Sequence, residues 1–165
     1  MPSAVFQAPW SRQLKIISAI SAAMLLAIPL FLMTKAPPEH SILFSIALAL
    51  PPTILLLGAL FMVRGYVIQS NNLLVLRLGW KTTIPLQGLN KASADPESMQ
   101  GSVRIFGNSG LFGYTGLFQN KKLGRYRAFA TDQEKAVVLQ FPTKTLVITP
   151  DRPERMAEML NRHAS

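Results

Sequence analysis

The hydrophobic pattern changes character along the chain. From Ile16 to Thr34 and from Ser41 to Val63 no position is charged, most are Leu, Ile, Ala, Phe or Met, and neither run carries a polar stripe. A helix rises about 1.5 Å per residue, so ~20 residues cross a hydrocarbon core of ~30 Å. The runs are 19 and 23 residues long, and each is expected to span a membrane. A helix buried in a soluble protein would normally show a polar face. A cleaved leader would be shorter and followed by a small-residue cleavage site, whereas "TKAPPEH" and a second span follow here. The short linker Lys35–His40 makes the two spans an antiparallel hairpin. Pro29, Pro51 and Pro52 cannot bond the carbonyls of Leu25, Ala47 and Leu48, so they are expected to kink the helices or, at Pro51-Pro52, to break the second.

After Gly65 the period shortens. Tyr66–Gln69 and Leu73–Leu78 are apolar runs joined by Ser70-Asn71-Asn72, a hairpin signal because asparagine tolerates positive φ. Thr82–Leu86 is a third strand, and Pro85 suggests an edge or a bulge. Lys91–Ser102 has loop composition. Ser102–Phe106, Gly124–Thr131, Ala136–Phe141 and Thr145–Thr149 complete about seven short antiparallel strands, as in a small sandwich or barrel. The chain closes on a helix, with Asp151 as N-cap, Pro153 in the first turn, Glu154 completing a capping box, and Met156, Met159 and Leu160 forming an apolar face.

Between the strands, "FGNSGLFGYTGLF" places Gly107, Gly110, Gly113 and Gly116 at every third position. A dinucleotide cradle needs different spacing and a helix after it. A membrane small-residue face needs a longer apolar segment, and collagen needs many more repeats. Backbone geometry remains: a bulged, sharply curved strand pair with its Phe side chains pointing into the barrel. A surface binding loop is the functional alternative.

Charge adds a direction. The formal net charge is +9, and from Arg64 onward 14 Lys and Arg stand against 7 Asp and Glu. Arg12, Lys15 and Arg64 flank the spans, while the linker holds only Lys35 beside Glu39, so both termini are expected in the cytoplasm. Trp10 and Tyr66 fall where interfacial aromatic anchors lie. Lys121, Lys122, Arg125 and Arg127 form a candidate membrane-surface patch, since a basic domain beside a bilayer is drawn to anionic lipid. A solvated basic face is the plainer reading.

Catalytic chemistry is sparse. There is no cysteine, the spans hold no ionisable residue, and His40 and His163 do not form a metal pair. The carboxylates Asp95, Glu97, Asp132, Glu134, Asp151, Glu154 and Glu158 sit in loop or capping contexts without a base–nucleophile arrangement. No enzyme activity, cofactor, metal or nucleic acid is expected.

"YVIQSNNLLVLRLGWKTTIPL" and "GLFGYTGLFQNKKLGRYRAFATD" resemble the bacterial pleckstrin-homology-like domain family, many of whose members carry two spans before the domain. The resemblance implies a seven-stranded antiparallel barrel-like sandwich capped by the C-terminal helix, and little biochemistry. Eukaryotic relatives that bind phosphoinositides use basic residues in the first hairpin loop, but Ser70-Asn71-Asn72 has none. The expectation is therefore a bacterial inner-membrane protein: a cytoplasmic tail over 1–13, a two-helix hairpin over 14–64, and a pleckstrin-homology-like domain over 65–163. Its expected partners are the lipid bilayer and a second copy or another membrane protein. Anionic lipid is the alternative.

Overall fold

The computed structural model describes residues 4–35 and 41–164. Most of the linker, including Glu39 and His40, and the side chain of His163 lie outside the described residues. The elements are β1 (Ala4–Gln7), α1 (Arg12–Thr34), α2 (Ile42–Phe61), β2 (Gly65–Gln69), β3 (Asn72–Leu76), β4 (Lys81–Pro85), β5 (Lys91–Ala94), β6 (Val103–Ser109), β7 (Tyr114–Asn120), β8 (Gly124–Ala130), β9 (Val137–Gln140), β10 (Thr145–Ile148) and α3 (Pro153–Ala164).

α1 and α2 pack on each other, and both are long and apolar enough to cross a membrane. Hydroxyls start them: Ser11 Oγ accepts from Leu14 N at 3.1 Å, and Ser41 Oγ from Phe44 N at 3.2 Å. Neither helix is broken by proline. α2 runs through Pro51-Pro52, and Thr53 Oγ1 donates to Ala49 O at 2.8 Å. α2 stops at Phe61, short of the expected Val63, because Val63 is fully buried in the core of the β domain.

The N-terminal segment is not a free tail. β1 pairs antiparallel with β2, Ala4 opposite Ile68 and Gln7 opposite Gly65. The helical pair thus emerges between two neighbouring strands. Both of its ends are pinned: Ala8 N donates to Arg64 O at 3.2 Å, and Ser11 N to Thr131 O at 3.2 Å. Nothing in "AVFQ" announces a strand, since four residues are too few for a period to show.

Two sheets carry the domain, one ordered β1-β2-β3-β4 and the other β5-β9-β10-β8-β7-β6. The class is the expected one, β-sheets after two apolar helices and closed by a C-terminal helix. The count is not seven, and the strands are not all antiparallel. Ten strands form among the described residues, and β10 runs parallel to β8 with Val147 opposite Ala128. The region read as a loop contains β5. Its edge is closed by an α3 side chain: Asn161 Oδ1 accepts from Ala92 N at 2.7 Å, and Asn161 Nδ2 donates to Ala92 O at 2.8 Å. That amide stands in for a neighbouring strand, which makes a weak strand former such as "KASA" tenable.

Tyr66, Leu73, Val75, Leu139, Ile148, Met156 and Leu160 fill the core between the sheets and under α3. The second face of the six-stranded sheet is covered by another cluster, in which Leu14 from α1 and Met99 pack on Tyr126, Ala128 and Val147. α3 begins at Pro153, and Asp151 does not serve as the expected N-cap. Its carboxylate accepts from Gln7 N at 3.2 Å and its amide donates to Gln7 O at 2.9 Å, extending the β1 edge.

Candidate functional site

The glycine stretch is the β6–β7 hairpin, and its tip docks on both long apolar helices. Ser18, buried in α1, donates from Oγ to Gly110 O at 3.0 Å and accepts from Phe112 N at 2.9 Å. On the α2 side, a Cβ added to Gly58 would lie 2.9 Å from Leu111 Cδ2. The turn is closed by Gly110 N donating to Gly113 O at 2.9 Å and by the Asn108 amide, which bonds both the N–H and the carbonyl of Leu111. The β domain is therefore seated on the helices by hydrogen bonds and close packing.

Within the hairpin, Gly107 faces Gly116 across the ladder, with φ of 109° and 136°. A Cβ on Gly116 would stand 2.2 Å from Phe106 O, and one on Gly107 would stand 2.3 Å from Thr115 O. Two backbones in this contact leave no room for a side chain on either strand. The register also shifts between Arg104 and Phe106, so the pair is bulged. The expectation that the Phe side chains point into the barrel does not hold: Phe118 is buried, but in the cluster with Leu14 and Tyr126 on the other face of the six-stranded sheet. Phe106 is 78% exposed beside the bulge, and Phe112 leans on Trp10 with ring centroids 5.9 Å apart.

A groove of about 590 Å³ opens between α2 and this bent sheet, walled by Leu57, Phe61, Phe106 and Leu117 and holding Arg77 and Arg127. Arg77 Nη1 donates to Phe61 O at 2.6 Å, covering a carbonyl at the end of α2, and Nε donates to Thr82 Oγ1 at 3.3 Å. The two guanidiniums flank one ring: Arg77 lies 5.5 Å and Arg127 5.1 Å from the centroid of Phe129. Burial, and then the like charge of Arg127, lower the pKa of Arg77. Neither arginine has a carboxylate partner among the described residues.

The four basic residues singled out from sequence do not share one place. Arg127 reaches the groove and Arg125 lies one pleat further out on the same face of β8. Lys121 and Lys122 sit in the β7–β8 turn, at the other end of a strand that extends ~20 Å from the docked hairpin tip. Lys122 Nζ is paired with Asp95 at 2.7 Å. Arg77 carries no sequence signal of its own, being an isolated arginine in an apolar strand pattern, and only the fold brings it beside Arg127.

Tyr66 is not an interfacial anchor. It is fully buried, its hydroxyl donating to Phe129 O at 2.5 Å and accepting from Thr149 N at 3.1 Å. Burial pushes its pKa up to about 12. The aromatic beside the end of α2 is Trp80, edge-on to Phe61 at 5.0 Å and 41% exposed.

The last feature is an open edge. β6 ends the six-stranded sheet, bonded among the described residues only to β7, with Val103 and Ile105 exposed beside Phe106. No group of three or more metal-ligating side chains occurs among the described residues. Compared with known proteins, residues 64–164 match the family described as Bacterial PH domain. No curated protein and no solved structure matches the chain.

Proposed function

The chain belongs to the bacterial PH domain family, and on that premise we propose that it is a membrane-anchored interaction module. It offers the β6 edge of its larger sheet, at the cytoplasmic face of a bacterial inner membrane, to a second copy of itself or to another membrane protein. The observation that carries this reading is the β6 edge left open among the described residues, with Val103 and Phe106 exposed at 68% and 78%. An uncovered strand bearing apolar side chains is a template for strand addition or for apolar contact, and proteins that do not use such an edge generally blunt it. Two observations support the topology. β1 and β2 pair with each other, which keeps the entry of α1 and the exit of α2 on one side. Arg12, Lys15 and Arg64 cluster there, as the positive-inside bias requires of a cytoplasmic side.

The chain has no cysteine, so one introduced thiol reports one location. Val103→Cys, in native membranes with a short bismaleimide, should give a crosslinked dimer or an adduct with one membrane protein. Thr83→Cys on β4, the edge of the other sheet, should stay monomeric. Crosslinking at Thr83 alone, or at neither position, would refute the assignment. The alternative, sensing of anionic lipid, is favoured by a separate observation, the two arginines of the groove.

A further inference from the structure

We propose that the groove between α2 and the β6–β8 face holds one anionic phospholipid of the surrounding bilayer, its phosphate between Arg77 and Arg127 and one acyl chain along Ile54, Leu57 and Phe106. The inference rests on the reading that α2 spans the membrane. The site shares Phe106 with the β6 edge, but its headgroup contacts and its test do not depend on what binds there.

Charge complementarity sets the headgroup. Two guanidiniums lie over the ring of Phe129 and line one groove, with no carboxylate paired to either among the described residues. Like charges in one groove repel, and a phosphate that meets both converts repulsion into two charge-assisted contacts. Arg77 is positioned for this by its own bonds. Its Nη1 is tied to Phe61 O, so the guanidinium is fixed where α2 leaves its apolar run, the level at which a headgroup phosphate lies. The remaining wall is continuous with the lipid-facing surface of α2. Ile54 lies seven residues before Phe61, about 10 Å deeper along the helix axis, and it lines the same groove. A volume of about 590 Å³ lies within the range of small-ligand sites. The facing glycines Gly107 and Gly116 line its strand wall and add no side chain to it. The hairpin loop Ser70-Asn71-Asn72 takes no part in this site.

The test uses the full chain in mild detergent and native mass spectrometry. The probes are phosphatidylglycerol, phosphatidylcholine with the same acyl chains, and inorganic phosphate. One phosphatidylglycerol should bind per chain, about tenfold or more tighter than phosphatidylcholine, whose phosphate is the same but whose choline brings a fixed positive charge up to the two guanidiniums. Arg127→Gln should abolish that preference, and Leu57→Trp, whose indole fills the groove, should abolish retention of either lipid. A Lys121→Gln, Lys122→Gln double variant should bind like the wild type. Arg77 is left intact because it also holds the end of α2. Equal affinity for the two lipids, an unchanged preference in Arg127→Gln, or inorganic phosphate displacing the lipid at equal concentration would overturn the proposal. If alkaline washing released the chain from membranes, the anchor reading would fall and the groove with it. An embedded chain without headgroup preference would refute the groove alone.

Discussion

Replacing Gly116 with alanine should cost far more than replacing Gly88 or Gly79, and the structure separates the two causes. At Gly116 the backbone has φ 136°, and a Cβ would stand 2.2 Å from Phe106 O. Holding a non-glycine residue in such a region costs of order 1–3 kcal/mol. Relieving the contact requires one strand to move by about 1 Å, with ~1–3 kcal/mol for overpacking and some loss of ladder bonds. We expect a total of about 3–5 kcal/mol. Gly88, at φ 78°, has open space around its added Cβ, so Gly88→Ala should show conformational strain alone, about 1 kcal/mol. Gly79 has neither positive φ nor a neighbour within 4 Å, and Gly79→Ala should be neutral or slightly stabilising. For a domain of this size 1 kcal/mol moves Tm by roughly 4–8 °C, so Gly116→Ala should lower it by about 12 °C or more. The assay is thermal unfolding of the sheet signal by circular dichroism, in one detergent for all three variants. If Gly116→Ala melted with Gly79→Ala, the close approach of β6 and β7 would not be what requires glycine there.

Three further outcomes follow from named contacts. Ser18→Ala removes the hydroxyl that bonds Gly110 O and Phe112 N, so the Phe112 amide should exchange at least about tenfold faster by hydrogen–deuterium exchange, with protection in β9 unchanged. Asn161→Leu bares both backbone groups of Ala92 and should destabilise the domain by about 1–3 kcal/mol in denaturant titration, whereas an unchanged midpoint would mean β5 does not need that amide. Tyr66 binds its proton more tightly folded, with a pKa of about 12, than unfolded, near 10. Its contribution to stability is therefore complete below pH 10 and lost as pH rises toward 12, roughly 2–3 kcal/mol in all. Tyr66→Phe should be less stable at neutral pH, and its stability should fall less steeply between pH 10 and 12. Parallel slopes would contradict the burial argument.

The features legible in the sequence are those that one stretch of chain can carry: two apolar runs of bilayer length, most strands, the Ser70-Asn71-Asn72 hairpin, and the apolar face of α3. Each rests on spacing within about twenty residues, and hydropathy and local φ preference act at that range. The tertiary structure decided what depends on distant partners. "AVFQ" and "KASA" become strands because β2, β9 and Asn161 supply hydrogen bonds that their own residues do not signal. The glycine rhythm was visible, but only the bulged register shows that two glycines face each other and that the tip between them locks onto α1 and α2. Arg77 and Arg127 lie fifty positions apart in the chain, and Lys121 and Lys122 are close to Arg125 in sequence while sitting in the turn at the far end of β7. Proximity in sequence fixes a local conformation. Proximity in space is fixed by how buried faces pack and pair, and that brings the two arginines together beside α2.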